Sequence, residues 1–304
     1  MKYCLLLLSF AILLAACDEK TNFSSYNPDE EEWISLFNGK DLTAWDIKIA
    51  DRELNDNYKE TFVVEDSMIR VKYDKYEAFD DAFGHMYYET PYSYYKVAFD
   101  YRFTGEQLAG GASWNVRNSG IMLHSQSANS NEIGQGFPVS VELQLLGGLS
   151  DGKERTTGNV CTPGTAVVMG DTVNYNHCIS STSKTYHGDQ WVHAEAIVLG
   201  GEVMHFLIEG DTVLSFDQPQ IGGGFISKAQ EGKDWDQFKI IQGKEDWIAR
   251  DGEILTEGYI ALQAESHPID FKNIELLDLC GCMDEQAKNY KSYYVKDKKK
   301  ACIY

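Results

Sequence analysis

The sequence predicts an all-β protein built as a sandwich of two antiparallel sheets. Across residues 33–279, hydrophobic residues recur mostly at every second position, glycine-containing turns separate short segments, and no helical stripe of useful length appears. The 304-residue chain has 26 glycines, 18 tyrosines and 14 phenylalanines but only 6 prolines, which favours strands and turns. We therefore expect a jelly-roll type of β-sandwich.

The N-terminal segment predicts export and lipid attachment. Residues 1–16 combine a short charged start with an apolar run over residues 5–14 that is too short to cross a bilayer. The run ends in Leu14-Ala15-Ala16-Cys17, which resembles a bacterial lipobox, so we expect cleavage before Cys17 and a lipid anchor on it; an ordinary signal peptide is the alternative. Residues 17–32 are polar and acidic and predict a tether. The expected location is the bacterial cell envelope, as a lipoprotein anchored in the outer membrane. The sequence leaves open whether it lies on the periplasmic face or on the cell surface.

The strands of the body are predicted from alternation. Residues 201–210 and 211–216 form two strands around a Glu-Gly-Asp turn, which is typical of a hairpin. Further strands are predicted at residues 96–103, 117–126, 138–146, 191–199, 258–263 and 269–277.

Three of these strands combine an apolar face with a polar one. The polar sets are Asn118, His124 and Gln126 on the first, Glu142 and Gln144 on the second, and Tyr259 and Gln263 on the third. A solvent-facing sheet is the ordinary explanation for one such strand. Three together, with amide, carboxylate, imidazole and aromatic groups, predict a carbohydrate-binding groove.

Charge and cysteine usage narrow the function classes. The formal net charge is −20, from 27 basic and 47 acidic residues, which disfavours nucleic acid as a partner. Export favours disulfides, and we expect one between Cys161 and Cys178, which flank a turn signal. Cys302 pairs with either Cys282 or Cys280, and the sequence leaves that choice open.

Four ordered motifs resemble the 3-keto-disaccharide hydrolase family. They are residues 36–45, opening Leu-Phe-Asn-Gly-Lys-Asp; Asn118-Ser-Gly-Ile121; Glu142-Leu-Gln144; and residues 258–275, with the closing Leu-Gln and Phe-Lys-Asn-Ile patterns. His124 stands where many members have Arg, and Lys272 replaces the usual Arg. The resemblance covers about residues 33–279 and implies a concanavalin-like jelly roll that acts on glycosides oxidised at carbon 3.

The implied chemistry begins at the proton on carbon 2, which a ketone at carbon 3 makes acidic. Its removal gives an enolate that expels the aglycone from carbon 1, and water then adds to the enone. We predict Glu142 as the catalytic base or acid, with His124 second, as a proton shuttle or metal ligand. Residues predicted to bind or orient the substrate are Asn118, Gln126, Gln144, Tyr259, Gln263, His267 and Lys272.

Alternatives remain at the level of mechanism and function. Direct hydrolysis by two carboxylates is the conventional route, but Gln144 and Gly147 stand where the laminarinase-type strand has Asp and Glu. No cofactor is certain; His124, His177 and His187 are weak candidates for a divalent metal. A non-catalytic, lectin-like lipoprotein on the same fold is the second function class.

The C-terminal tail, residues 280–304, forms a separate unit. It is similar to short cysteine-containing modules on exported proteins of Bacteroidetes-like bacteria, and its charge is positive, unlike that of the body. We expect a disulfide-pinned cap with solvated lysines.

Overall fold

Two antiparallel sheets pack face to face in the computed structural model, which describes residues 27–223, 226–227 and 243–304. Strands are numbered β1 to β19 in chain order. The ten-stranded first sheet contains β1 (Ile34–Ser35), β3 (Phe62–Glu65), β4 (Met68–Val71), β6 (Tyr94–Phe103), β10 (Thr165–Met169), β11 (Thr172–Asn174), β13 (Val192–Leu199), β14 (Val203–Ile208), β15 (Asp211–Ile221) and β17 (Ile269–Asp278). The seven-stranded second sheet contains β2 (Trp45–Ile49), β5 (Gly84–Tyr88), β7 (Asn118–Ser125), β8 (Val141–Leu146), β9 (Asn159–Cys161), β12 (Cys178–Ile179) and β16 (Tyr259–Ala264).

The described helices are short. They are the α-helix α1 (Lys244–Ala249) and the 3₁₀ turns Tyr58–Glu60, Ser113–Asn115, Ala128–Ser130 and Lys299–Ala301. The all-β prediction is therefore confirmed, as is the hairpin, because β14 and β15 pair around a turn at residues 209–210.

The core lies between the sheets and follows from strand alternation. In β6, Val97, Phe99, Tyr101 and Phe103 are all buried, while the residues between them are half-exposed. In β8, Val141, Leu143 and Leu145 are buried in the same core. Because side chains of a strand alternate between its two faces, Glu142 and Gln144 lie on the outer face of the second sheet.

Strand order places distant segments of the chain side by side on that outer face. The second sheet runs β12-β9-β8-β7-β16-β5-β2. Met122 of β7 is the register partner of both Glu142 in β8 and Ala261 in β16. The three strands predicted to carry polar faces are therefore the three central strands of one sheet.

The C-terminal tail forms a small module on the first sheet. Strands β18 (Cys280–Gly281) and β19 (Lys296–Asp297) pair in parallel, and Cys282 is joined to Cys302. Leu277, Leu279 and Cys280 pack with Tyr94, and Trp33 and Tyr293 lie against them. Cys280 is the free cysteine among the described residues, and it is buried.

Part of the sequence prediction concerns residues that the structure does not describe. The signal segment 1–16, Cys17 and the tether as far as residue 26 lie outside the described residues. Within the described part of the chain, no helix is both long and apolar enough to cross a membrane.

Candidate active site

Glu142 lies at the centre of the outer face of the second sheet. Its neighbours across the ladder are Met122 of β7 and Cys161 of β9, and only 4% of the residue is exposed. The apolar residues on either side of it in β8 pack into the core, which fixes the direction of the carboxyl group. The burial of the group is much deeper than an ordinary solvent-facing strand would give.

Gly120 determines where the Glu142 side chain goes. A Cβ atom at Gly120 would lie 2.7 Å from Cγ and 2.9 Å from Cδ of Glu142, closer than real Cβ contacts allow. The Glu142 side chain therefore lies across β7 through the space that the glycine leaves empty. Because β7 separates β8 from β16, this directs the carboxyl group towards β16.

A second buried carboxyl group lies at the end of β16. Glu265 directly follows that strand and is 2% exposed, and it interacts electrostatically with Glu142. Alternation places it on the same face as Gln263, two residues earlier. The site therefore contains two carboxyl groups from different strands.

Burial raises the pKa values of both groups. It raises the pKa of Glu142 to about 8. The pKa of Glu265 is raised well above its usual value, first by burial and then by the charge of Glu142, while Arg155 opposes the rise. Two like charges cannot both be buried cheaply, so the pair retains a proton in the neutral range.

Arg155 is held rigidly beside the pair. Its Nη1 donates hydrogen bonds to the carbonyl oxygens of Val116 and Gly147, both at 2.7 Å. The guanidinium is thus committed to backbone carbonyls, so that it lowers the pKa of Glu265 through its charge. Arg155 and Arg117 also keep His267 neutral: burial first, then these two charges, lower the pKa of His267 to about 4.

Several buried polar atoms around the carboxyl pair have no hydrogen-bond partner in the protein. They include both amide atoms of Gln263, Oδ1 of Asn118, Oε2 of Glu265, both ring nitrogens of His267 and Nε2 of His85. Buried polar groups are normally paired, because an unpaired one costs roughly 1–3 kcal/mol. Such a concentration on one face is typical of a site that receives a polar ligand.

A cavity of about 600 Å³ opens above Glu142 and Glu265. Its polar lining includes Asn118, Gln144 and Arg155. Its apolar walls are formed by Trp114, Phe137, Leu146, Leu149 and the half-cystines Cys161 and Cys178. The volume suits a sugar ring with part of an attached group.

Trp114 stands at the rim of this cavity and is 44% exposed. Its ring stacks on Phe83 with an interplanar angle of 9° and a centroid separation of 6.3 Å. An exposed aromatic ring held from behind can pack against the C–H face of a sugar or against an aromatic group.

The structure places His124 away from the cavity, so the face predicted for it is wrong. Its φ of 47° interrupts the alternation of β7 next to the register shift between β7 and β16. The ring consequently turns towards the first sheet, where Nε2 lies 3.0 Å from the carbonyl oxygen of Gly200. Tyr95 packs against the ring with centroids 6.2 Å apart.

Five predicted substrate-binding residues also lie outside the cavity lining. Two of them, Gln263 and His267, are buried on either side of Glu265 in the sequence. The other three lie further away. Gln126 binds its own loop, accepting hydrogen bonds from Gln135 and the Val139 amide. Tyr259 packs in a separate cluster with Tyr87 and Met122. Lys272 lies on the first sheet, 4.0 Å from the centroid of the Trp191 ring, because alternation directs it to that sheet's outer face.

The histidines proposed as weak metal ligands do not come together. Among the described residues, the one group of three potential ligands within 4.8 Å contains Cys161, His177 and Cys178. Both sulfur atoms of that group belong to the disulfide, which removes them as thiolate ligands. His177 lines the cavity, whereas His187 lies under Gly148 at a neighbouring surface pocket.

Sequence reasoning missed three residues of the site: Glu265, Arg155 and Trp114. Extending the alternating pattern of β16 by two residues beyond Gln263 would have found Glu265. Trp114 sits in the 3₁₀ turn Ser113–Asn115 and Arg155 in the β8–β9 connection. Neither segment has a strand-like alternation, so the local pattern gives no signal for either residue.

The body of the chain matches one protein family. Residues 32–277 match the family described as "3-keto-alpha-glucoside-1,2-lyase-like domain". No curated protein matches the chain significantly.

Solved structures with a similar fold include two candidate glycosyl hydrolases from Parabacteroides distasonis. One is 18% identical, with 81% of this chain and 98% of that chain covered and a TM-score of 0.46. The other is 22% identical, with 81% and 93% covered and a TM-score of 0.44. A Bacillus subtilis protein of unknown function with a galectin-like fold is 12% identical, with 82% and 97% covered and a TM-score of 0.45.

Proposed function

Because the chain belongs to the 3-keto-alpha-glucoside-1,2-lyase-like family, we propose that it cleaves the glycosidic bond of glycosides oxidised at carbon 3. The observation that carries this proposal is the Glu142 carboxyl, buried at the floor of a cavity among unpaired amides. A base in such a position meets a substrate proton without competing water.

The proposed reaction starts with proton abstraction. Glu142 takes the proton from carbon 2, and the electron pair of that C–H bond forms the enolate of the carbon 3 ketone. The enolate collapses to a double bond between carbons 1 and 2 as the C1–O bond breaks, and the departing oxygen takes up a proton. Addition of water across the double bond returns a 3-keto sugar, so the net reaction is hydrolysis with no redox change.

The amides give the site its binding groups. Gln263 offers a donor and an acceptor, and Asn118 offers an acceptor, all without protein partners. We assign to them the orientation of the sugar hydroxyls and the ketone. Gln144 is held differently, because its Oε1 accepts a hydrogen bond of 3.0 Å from Asn159 Nδ2, which leaves its NH₂ group for the substrate.

The test compares a 3-keto-glycoside with its unoxidised parent and measures aglycone release. We expect release from the keto form alone. Glu142→Gln should reduce turnover by about 10²- to 10⁴-fold with little change in binding, because it keeps the shape and removes the base. Glu275→Gln, an exposed change on β17, is the matched control. Saturable binding without turnover in the wild type would instead indicate the lectin-like alternative.

Elimination and direct hydrolysis are separated by running the reaction in D₂O. Elimination and then hydration place solvent deuterium on carbon 2 of the product. Direct displacement by two carboxylates leaves the original hydrogen there. A product without deuterium at carbon 2 would therefore refute the proposed route while leaving glycoside cleavage intact.

We also propose that the protein is a lipoprotein of the cell envelope. The support is the Leu-Ala-Ala-Cys pattern at residues 14–17 and the polar segment after it. Cys17→Ser should abolish incorporation of labelled fatty acid and retain the unprocessed chain. A wild-type protein released without lipid would contradict this.

A further inference from the structure

We propose that Glu265 is the acid that protonates the departing oxygen, and that it works as a proton-sharing pair with Glu142 across the gap left by Gly120. This inference rests on the proposed function and adds a second catalytic residue and a positioning residue to it.

Gly120 makes the meeting of the two carboxyl groups possible. The Glu142 side chain lies over Gly120 on β7, the strand between β8 and β16, where a Cβ atom would lie 2.7 and 2.9 Å from its Cγ and Cδ. Gly120 is not in a left-handed conformation, so backbone strain does not explain the glycine. Its role is to let a side chain from one neighbouring strand cross towards the other.

Both carboxyl groups of the pair are buried, and the cation that acts on Glu265 is Arg155. The titratable and charged groups packed around it are Arg155 from the β8–β9 connection, Arg117 before β7, His267 after β16, His85 on β5 and His177 beside the disulfide. Burial lowers the pKa of His85 to about 3 and that of His177 to about 4, so these imidazoles are neutral near pH 7. Arg155 acts directly on Glu265.

Charge balance then sets the protonation of the pair. Arg155 compensates one carboxylate, so the active form is the one in which Glu142 has lost its proton and Glu265 keeps its own; this form becomes populated as the pH approaches the Glu142 pKa of about 8. That form contains a base and an acid at once. During elimination, Glu142 gains the carbon 2 proton and Glu265 gives its proton to the glycosidic oxygen, so the total charge of the pair stays the same while the proton changes places. The hydration step restores the starting protonation of both groups.

Leaving-group dependence tests the acid role. The nitrophenolate of a nitrophenyl 3-keto-glycoside is a good leaving group that needs no protonation. The alkoxide of an alkyl 3-keto-glycoside is a poor one, so its oxygen must be protonated as the bond breaks. Glu265→Gln should therefore lower kcat for the alkyl substrate by about 10²- to 10⁴-fold and change it far less for the nitrophenyl substrate. Equal losses on both substrates would overturn the acid role and leave Glu265 a structural residue.

Titration of the free protein tests the pair without any turnover. Carboxyl ¹³C signals of labelled glutamate should show Glu265 protonated through the neutral range in the wild type. In Glu142→Gln the Glu265 titration should shift to lower pH, because the neighbouring charge is gone. An unchanged Glu265 titration in Glu142→Gln would refute the proton-sharing pair even if the wild type cleaves 3-keto-glycosides. Absence of cleavage by the wild type would refute the proposed function, and it would leave this titration result unaffected.

Gly120→Ala tests the positioning role. We expect kcat to fall on both substrates, because Glu142 is displaced, while KM changes little. Combining Gly120→Ala with Glu142→Asp shortens the clashing side chain and should restore the melting temperature but not the activity. Full activity in Gly120→Ala would show that the gap is unnecessary.

Discussion

At the residue scale, a carboxyl group buried for catalysis should weaken the fold at alkaline pH. The pKa of Glu142 is about 8 in the folded protein and roughly 4 in an unfolded chain. The folded state therefore binds the proton more tightly, and stability falls as pH rises from about 4 towards 8. The slope is about 1.4 kcal/mol per pH unit for one such group.

Glu142→Gln should consequently be more stable than the wild type at pH 8 and closer to it at pH 5. Urea unfolding at the two pH values measures this, with Glu275→Gln as the exposed control. A difference between variant and wild type that does not change with pH would show that Glu142 is already ionised in the folded state.

Trp114 offers a separate test of the cavity wall. Trp114→Ala removes the exposed ring that Phe83 supports, so KM for a 3-keto-glycoside should rise about tenfold with kcat largely kept. Trp191→Ala, on the outer face of the first sheet, removes a ring of the same kind away from the cavity and should leave KM unchanged. A fall in kcat alone in Trp114→Ala would contradict a binding role.

The contrast between Glu142 and His124 shows what alternation can predict. Glu142 lies in a regular strand, so the alternation of side chains between the two faces of the sheet predicted its face correctly. His124 has a positive φ beside a register shift, and one such residue breaks the alternation between the two faces of a strand. Nothing in the local sequence marks that break.

At the scale of elements, the Cys161–Cys178 disulfide joins a two-residue edge strand to the sheet. Cys161 and Cys178 are direct register partners, so the bond ties β12 to β9 at the cavity wall. Replacing both by alanine should lower stability by up to ~3 kcal/mol and raise KM, because the wall loses its fixed edge. Replacing Cys282 and Cys302 instead is the matched control and should leave KM unchanged.

A double variant that unfolds as the wild type does would show that β12 needs no covalent tie. Urea unfolding with and without reductant, on the same samples used for kinetics, separates the stability effect from the effect on KM.

Elements formed by local pairing were predictable, and those formed by distant pairing were not. The β14–β15 hairpin follows from a turn between two alternating runs. The pairing of β6 with β17 joins segments that are far apart in the chain, and no local pattern specifies it. The same holds for the site. Glu142 and Glu265 line one cavity because the sheet has the strand order β8-β7-β16, and no local pattern specifies that order.

At the scale of the whole molecule, the cavity and the C-terminal module lie at opposite ends of β6. Tyr94 at one end packs against Leu277 and Leu279, while Phe103 at the other lies 5.7 Å from the ring of His267. A strand of this length spans about 30 Å. The module therefore contributes no group to the cavity.

Removal of residues 280–304 should lower the melting temperature and promote self-association, because it exposes Trp33, Tyr94 and Leu277. The kcat and KM of the remaining folded protein should match those of the full chain. Thermal unfolding, light scattering and kinetics on the monomer fraction measure these three quantities. A loss of kcat in that fraction would mean that the module supports the site.

The module also holds the beginning of the described chain. Lys291 Nζ lies 2.5 Å from Glu32 Oε1 and donates to the carbonyl oxygen of Asn27 at 3.2 Å, and the Ser292 amide donates to Pro28. In mechanical terms, a pulling force that enters at residue 27 meets these contacts before it reaches any strand of either sheet. It then passes into a loop closed by the Cys282–Cys302 bond. Tension applied to the start of the described chain is therefore borne first by the tail, which packs at the Tyr94 end of β6, whereas His267 lies at the Phe103 end.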